Sequence, residues 1–236
     1  RYGILEGPPG TGKTYIALKI LAEDYEGNGV SIRFHPNTTY ENFIGGLSPT
    51  QTADSLGFSF TPKPGYLMEA IEQANQAPQK PYLLHIDEIN RADLAKVLGE
   101  AIFLFEAQSD GRRVVKLAYD FGTPIGNKLY LPENLHVLGT MNSSDRSIAI
   151  MDIAIRRRFA FMKLWPQMSV VKENSCSRMI DAFRDLLDIF IEYAGDDALK
   201  LIPGHAYFLE RDAARAKEIL QTSLYPLLEE YLAQGY

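Results

Sequence analysis

Over its first two thirds the chain alternates short apolar runs with segments whose apolar residues recur every three or four positions. Ile4-Leu5 reads as a buried strand feeding a glycine-rich loop, and Lys13 to about Ala22 has helical periodicity. Gly27 and Gly29 interrupt that pattern before a second strand, Val30-Ser31-Ile32-Arg33-Phe34. A helix is predicted from Gly65 to about Gln76, then a strand over Tyr82 to Ile86 that ends in Asp87-Glu88. Leu94, Val97, Leu98, Ala101, Ile102 and Phe105 repeat at helical spacing. Leu135 to Met141 and Phe159 to Leu164 read as two further strands, with an apolar helix from Ile148 to Ile155 between them. Five strands alternating with helices predict a parallel sheet flanked by helices, an α/β fold.

Two segments depart from that alternation. Between Arg112 and Tyr130, alternating Val114-Val115, Leu117 and Tyr119 precede the turn signals Gly122, Pro124 and Gly126-Asn127, and Leu129 and Leu131 follow. This is the pattern of a β-hairpin insertion. From about Val170 onward only helical periodicity remains, in Met179 to Ile191 and in Ile219 to Leu228. The expected organisation is a large α/β subdomain over 1–166 and a small helical lid over 167–236, divided near Trp165-Pro166.

Composition narrows the function classes. With 46% hydrophobic and 23% charged residues, the 236-residue chain has ordinary globular content, and its net charge of -6 argues against a broadly basic nucleic-acid surface. The lone Cys176 excludes an internal disulfide framework and fits a reducing, cytoplasmic setting. It lies in a polar stretch, Glu173 to Ser177, without the neighbours that activate a thiol. No apolar run approaches the ~20 residues that span a bilayer. Because a buried strand begins almost at residue 1, the chain is expected to continue a longer protein whose N-terminal part is missing here.

The chemistry concentrates in four places. Gly7-Pro8-Pro9-Gly10-Thr11-Gly12-Lys13-Thr14 fits G-x-x-x-x-G-K-[ST] between a strand and a helix. Glycines let successive N–H groups turn toward phosphate oxygens, and the helix N-terminus adds partial positive charge. Lys13 would reach the terminal phosphates and Thr14 would ligate Mg²⁺, with Tyr15 closing the nucleotide-binding stretch. Asp87, at a strand end, would hold Mg²⁺ through water, and Glu88 would orient and deprotonate the attacking water. Adjacent acids can also simply cap the next helix. His85 is expected to pack in its strand with one ring nitrogen hydrogen-bonded. Asn142, in Thr140-Met141-Asn142-Ser143-Ser144-Asp145-Arg146-Ser147, would sit near the γ-phosphate; the same stretch also suits a helix cap through Asp145 or Ser147. Arg156-Arg157-Arg158-Phe159 suits either a cationic helix C-terminus or an arginine finger presented to a neighbouring subunit.

Taken in order, these elements resemble the AAA+ superfamily, with GPPGTGKT as Walker A, LLHIDE as Walker B, Asn142 as sensor 1 and RRRF as the arginine-finger site. Within it the likeness is to the McrB family, carried by Ile86 to Ala92 (IDEINRA), Met141 to Ser147 and Arg156 to Phe159. The segments from Phe34 to Ile44, Pro203 to Phe208 and Pro226 to Tyr231 share it, so the resemblance covers nearly the whole chain. Ser143-Ser144 stands where that family commonly has Thr-Ala. The resemblance implies a hexameric ring with nucleotide at subunit interfaces, GTP or ATP with Mg²⁺ as substrate with a preference for GTP, and weak turnover raised by an McrC-like nuclease partner. DNA would be reached only through the missing N-terminal domain. It further implies that Asn142 and Asp145 position water or its partner groups, that Arg157 and Arg158 act in trans with Arg158 ahead, and that Arg91 and Arg156 are candidate interface residues. Two other readings stand beside it: a MoxR-like or dynein-related ATPase remodelling proteins, and a nucleotide-dependent scaffold without turnover.

Overall fold

A computed structural model describes residues 1–51, 58–106, 113–144, 151–195 and 198–233. In chain order these form β1 (Tyr2–Gly7), α1 (Lys13–Glu23), β2 (Gly29–Arg33), α2 (Tyr40–Phe43), β3 (Gly45–Gln51), β4 (Phe58–Pro64), α3 (Tyr66–Gln76) and β5 (Tyr82–Asp87). There follow α4 (Leu94–Leu98), β6 (Val115–Lys116), β7 (Lys128–Leu129), β8 (Leu135–Asn142), α5 (Ile153–Arg156), β9 (Ala160–Lys163), α6 (Met168–Asn174), α7 (Ser177–Tyr193), α8 (Ala213–Ile219) and α9 (Tyr225–Ala233). A five-stranded parallel sheet of order β2-β5-β8-β1-β9 is the scaffold. β5 pairs with β2 from Gly29↔Leu83 to Arg33↔Asp87, and with β8 from Tyr82↔Leu135 to Ile86↔Gly139. Tyr82 to Ile86 is buried throughout, as a central strand covered on both faces requires, which is why it reads as an unbroken apolar run.

The chain divides into two compact units. The first, Arg1–Leu5, Ile16–Met141 and Ser147–Met162, buries a core that includes Ile4, Phe34, Phe43, Leu67, Leu84, Ile86 and Phe105. The second, Glu6–Tyr15, Asn142–Arg146 and Lys163–Tyr236, has its own helical core around Val171, Met179, Phe183, Phe208, Ala216 and Leu224. The Phe183 and Phe208 rings meet at 4.9 Å between centroids. None of the described helices is long and apolar enough to cross a membrane.

The expected insertion is present: β6 and β7 pair antiparallel, Val115↔Leu129 and Lys116↔Lys128. Two helical expectations change. The pattern from Leu94 to Phe105 is α-helical only to Leu98, because Gly99 takes φ +49° and the chain continues as a 3₁₀ turn over Gly99–Phe105. The helix expected from Ile148 to Ile155 begins at Ile153: Asp152 is its N-cap, accepting from Ala154 N–H at 3.0 Å, while Ile148 to Ile150 lie outside the described residues. A second hairpin has no counterpart in the apolar pattern. β3 and β4 pair antiparallel over seven positions, from Gly45↔Pro64 to Gln51↔Phe58.

Candidate functional site

The glycine-rich loop belongs to the second unit. It bends through Gly10 (φ +78°) and Gly12 (φ +77°), a left-handed conformation that costs glycine nothing and other residues strain. Lys13 is buried, and its ammonium donates to the carbonyls of Gly7 at 2.9 Å and Pro8 at 2.7 Å. Thr11 Oγ1 donates to Pro8 at 2.9 Å. The carbonyl of Gly7 also accepts from Ser143 N–H at 3.0 Å, so Asn142, the last residue of β8, stands one position from the base of the loop. A side chain at Gly7 would collide with the carbonyl of Leu164, 2.2 Å from its Cβ position. Tyr15, counted with the nucleotide-binding stretch, is 70% exposed. Asp145, Arg146 and Ser147 lie outside the described residues.

The acid pair belongs to the first unit. Asp87 closes β5, and Glu88 turns off it in a left-handed conformation (φ +52°, ψ +45°), an unusual state for a residue with a side chain. Thr140 of β8, fully buried, donates its hydroxyl to Asp87 Oδ1 at 2.5 Å and accepts from Glu88 N–H at 3.3 Å. Arg33, at the end of β2, makes a two-pronged contact with the Glu88 carboxylate at 2.7 and 3.1 Å. Arg91 adds a third guanidinium contact at 3.0 Å. The Glu88 hydrogen bond and charge raise the Arg33 pKa further above its already high value. His85 is fully buried with Nδ1 2.8 Å from Ser31 Oγ, as expected, and burial lowers its pKa despite the opposing pull of Asp87. Thr140 and Arg33 were not legible as site residues: they lie more than 50 positions from the acids they hold, and no motif marks them.

The three arginines after Ile155 part company. Glu106 gathers Arg158 at 2.5 Å, Arg157 at 3.4 Å and Arg113, and these cations outweigh burial to leave its carboxyl below the usual range. The Arg158 side chain is 8% exposed and also donates to the carbonyl of Ala154; that of Arg157 is 66% exposed. Arg156 lies over the Phe161 ring, 4.6 Å from its centroid.

The donors of each unit suit a different part of a nucleotide–metal pair. In the second unit the loop offers N–H groups, a lysine and the Thr14 hydroxyl; in the first, Asp87 offers a carboxylate, an oxygen donor of the kind a hard divalent cation takes.

Comparison with known proteins places the chain in a family. The AAA domain (dynein-related subfamily) matches residues 3–159. The chain is 33% identical over 251 aligned residues to the type IV methyl-directed restriction enzyme EcoKMcrB subunit of Escherichia coli K12, covering 97% of this chain and 53% of that protein. It is 28% identical over 194 residues to YdiS, a component of the type II restriction enzyme BsuMI of Bacillus subtilis 168, covering 68% and 56% respectively. The chain thus spans about half the length of the curated relatives it matches. With the family match over residues 3–159 and the strand-loop-helix around GPPGTGKT, the chain belongs to the AAA domain family, dynein-related subfamily, as an McrB-like AAA+ nucleoside-triphosphatase module.

Proposed function

We propose that the chain hydrolyses GTP or ATP with Mg²⁺ as the motor module of an McrB-like restriction system. The observation that carries the reading is the loop itself, bent by two left-handed glycines with the Lys13 ammonium folded over its own carbonyls. A lysine held that way gives up two backbone acceptors for phosphate oxygens when nucleotide enters. Mg²⁺ supplies charge neutralisation at the phosphates; Thr14 and Asp87 would hold it. Gly7 to Gly12 and Tyr15 line the nucleotide. Glu88 accepts the proton of the attacking water, its carboxylate aimed by Arg33 and Arg91. Asn142 and Asp145 position that water and its neighbours. Arg157, largely exposed, is the cation assigned to a neighbouring subunit's nucleotide, while Arg158 secures the helix end through Glu106. Arg91 and Arg156 fall at the subunit interface of a ring, with a hexamer as the expected assembly.

An McrC-like nuclease subunit is the proposed partner, and contact with DNA is assigned to parts of the full-length protein beyond this span. The 1–166 and 167–236 division is retained as the proposed subdomain organisation. Phosphate release with GTP and with ATP, in Mg²⁺ and in chelator, tests the reading. Glu88→Gln should lower turnover by about 10²–10⁴-fold while leaving nucleotide binding intact. Parent-like turnover in Glu88→Gln would show that the water is activated elsewhere.

A further inference from the structure

The segment Pro203 to Tyr207 is docked on the phosphate loop by backbone, and both belong to the second unit. Gly204 N–H donates to Pro9 O and Ala206 N–H to Gly10 O, each at 2.9 Å. The fit is close on both sides. A Cβ at Gly204 would stand 2.0 Å from the carbonyl carbon of Gly10, and one at Gly10 would meet the Tyr207 ring at 2.8 Å. His205 lies between these anchors. Its Nε2 is 3.6 Å from where a Cβ of Gly12 would stand, so the ring edge faces the bare side of that glycine. Its Nδ1 accepts from Gln167 N–H at 3.3 Å. A neutral imidazole that accepts at Nδ1 carries its proton on Nε2, and burial lowers the ring's pKa, which favours that neutral form. Among the described residues no protein acceptor meets Nε2.

Within a loop of this type, the backbone around the second and third glycines cradles the α- and β-phosphates. We infer that His205 is a nucleotide-contacting residue whose Nε2–H donates to an α- or β-phosphate oxygen held at Gly12. Two backbone bonds fix the segment that carries it, and the Gln167 bond fixes the ring's tautomer. The contact adds a donor from the helical part of the chain to a loop otherwise supplied by its own backbone and Lys13. The inference rests on the loop being the nucleotide site.

Two side chains separate this role from a structural one. In His205→Asn the amide oxygen replaces Nδ1 and keeps the Gln167 bond, but nothing reaches the Nε2 position. In His205→Gln the amide nitrogen reaches the Nε2 position and the Gln167 bond is lost. Equilibrium titration of fluorescent GDP and of a fluorescent non-hydrolysable GTP analogue, with thermal unfolding of the free proteins as a control, compares parent, Lys13→Ala and both His205 variants. His205→Asn should weaken both nucleotides by roughly 10- to 100-fold, the loss of a hydrogen bond to a charged group. His205→Gln should stay within about threefold of parent, well under the effect of such a lost bond. If Lys13→Ala abolishes binding while His205→Asn binds like parent, the His205 contact is wrong and the loop's role stands. Equal losses in both His205 variants would equally overturn it, by making the ring a packing element. Parent-like binding by Lys13→Ala would instead defeat the nucleotide reading of the loop, and this inference with it.

Discussion

Thr140 shows what single residues contribute to the acid pair. Its hydroxyl holds the Asp87 carboxylate and its oxygen receives the Glu88 N–H, so one buried side chain fixes both acids. Thr140→Val keeps the volume but removes the donor to Asp87 and strands the Glu88 N–H. Turnover should fall by roughly 10- to 100-fold, the usual cost of losing an outer partner of a metal-site ligand, while nucleotide affinity in chelator stays at the parent value. Thr140→Ser should recover most of the rate, and a valine variant with parent turnover would show that Asp87 needs no such partner. Gly204 makes a different point. The sequence marks it only as part of the Pro203 to Phe208 segment that shares the family likeness; what forbids a side chain there is the loop backbone nearly 200 positions earlier. Gly7, Lys13, Asp87 and Glu88 were legible because phosphate and metal chemistry prescribe residue types at fixed local spacings. Arg33, Thr140 and Gly204 were not, because their reasons lie across the fold.

At the level of elements, periodicity identified what packs on both faces and missed what pairs by backbone. The central strand Tyr82–Asp87 announces itself by continuous burial. The β3–β4 hairpin does not: Pro49, Pro62 and Pro64 interrupt its pattern and withhold ladder donors, so the segment reads as loop. Its register places Leu47, Pro49, Phe60 and Pro62 on one face and Ser48, Ser59 and Thr61 with Thr50 on the other, joined by a Thr50–Thr61 bond of 2.8 Å. For α5 the sequence pattern overshot, because Ile148 to Ile155 is apolar enough to extend a helix across Asp152, whereas the aspartate side chain starts one. That cap sets where the four-residue helix begins and therefore where Arg157 and Arg158 emerge. Asp152→Ala should cost about 1 kcal/mol in a urea melt. If Arg157 acts in trans, the same variant should also flatten the rise of specific turnover with protein concentration. Asp152→Asn, which keeps the acceptor, should change neither by more than a few tenths of that cost. An alanine variant as stable as parent would mean that packing alone sets the start of the helix.

Across the whole molecule, the histidines make stability depend on pH in a direction that can be worked out. Burial is the main cause lowering the pKa of His85, His136 and His205; positive charge near Arg1 adds to it at His136, and Asp87 opposes it at His85. Unfolded, each ring titrates near pH 6.5. Below that value the unfolded chain binds protons that the folded chain refuses, so lowering the pH favours unfolding; above about pH 7.5 both states are neutral at these rings and the effect vanishes. The carboxyl groups of Glu41, Asp93, Glu106 and Asp212 are held below their usual range by hydrogen bonds and neighbouring cations, so they add nothing to the slope across that window. The thermal midpoint should hold near pH 8 and fall between about pH 6.5 and 5.5, each kcal/mol lost lowering it by roughly 2–4 °C for a domain of this length. His85 is the sharpest of the three, because its ring is fully buried, Nδ1 is engaged by Ser31 and, among the described residues, Nε2 meets no hydrogen-bond partner. Protonation there would place a charge at the centre of β5, one residue from Ile86 and two from Asp87. His85→Asn retains an acceptor for Ser31 and leaves a cavity, so it should lower stability at every pH while reducing the slope below pH 6.5. The slope is the decisive quantity: a variant whose midpoint falls with acid as steeply as the parent's would remove His85 from the account. A parent midpoint that rises on acidification would reject the assignment for all three rings.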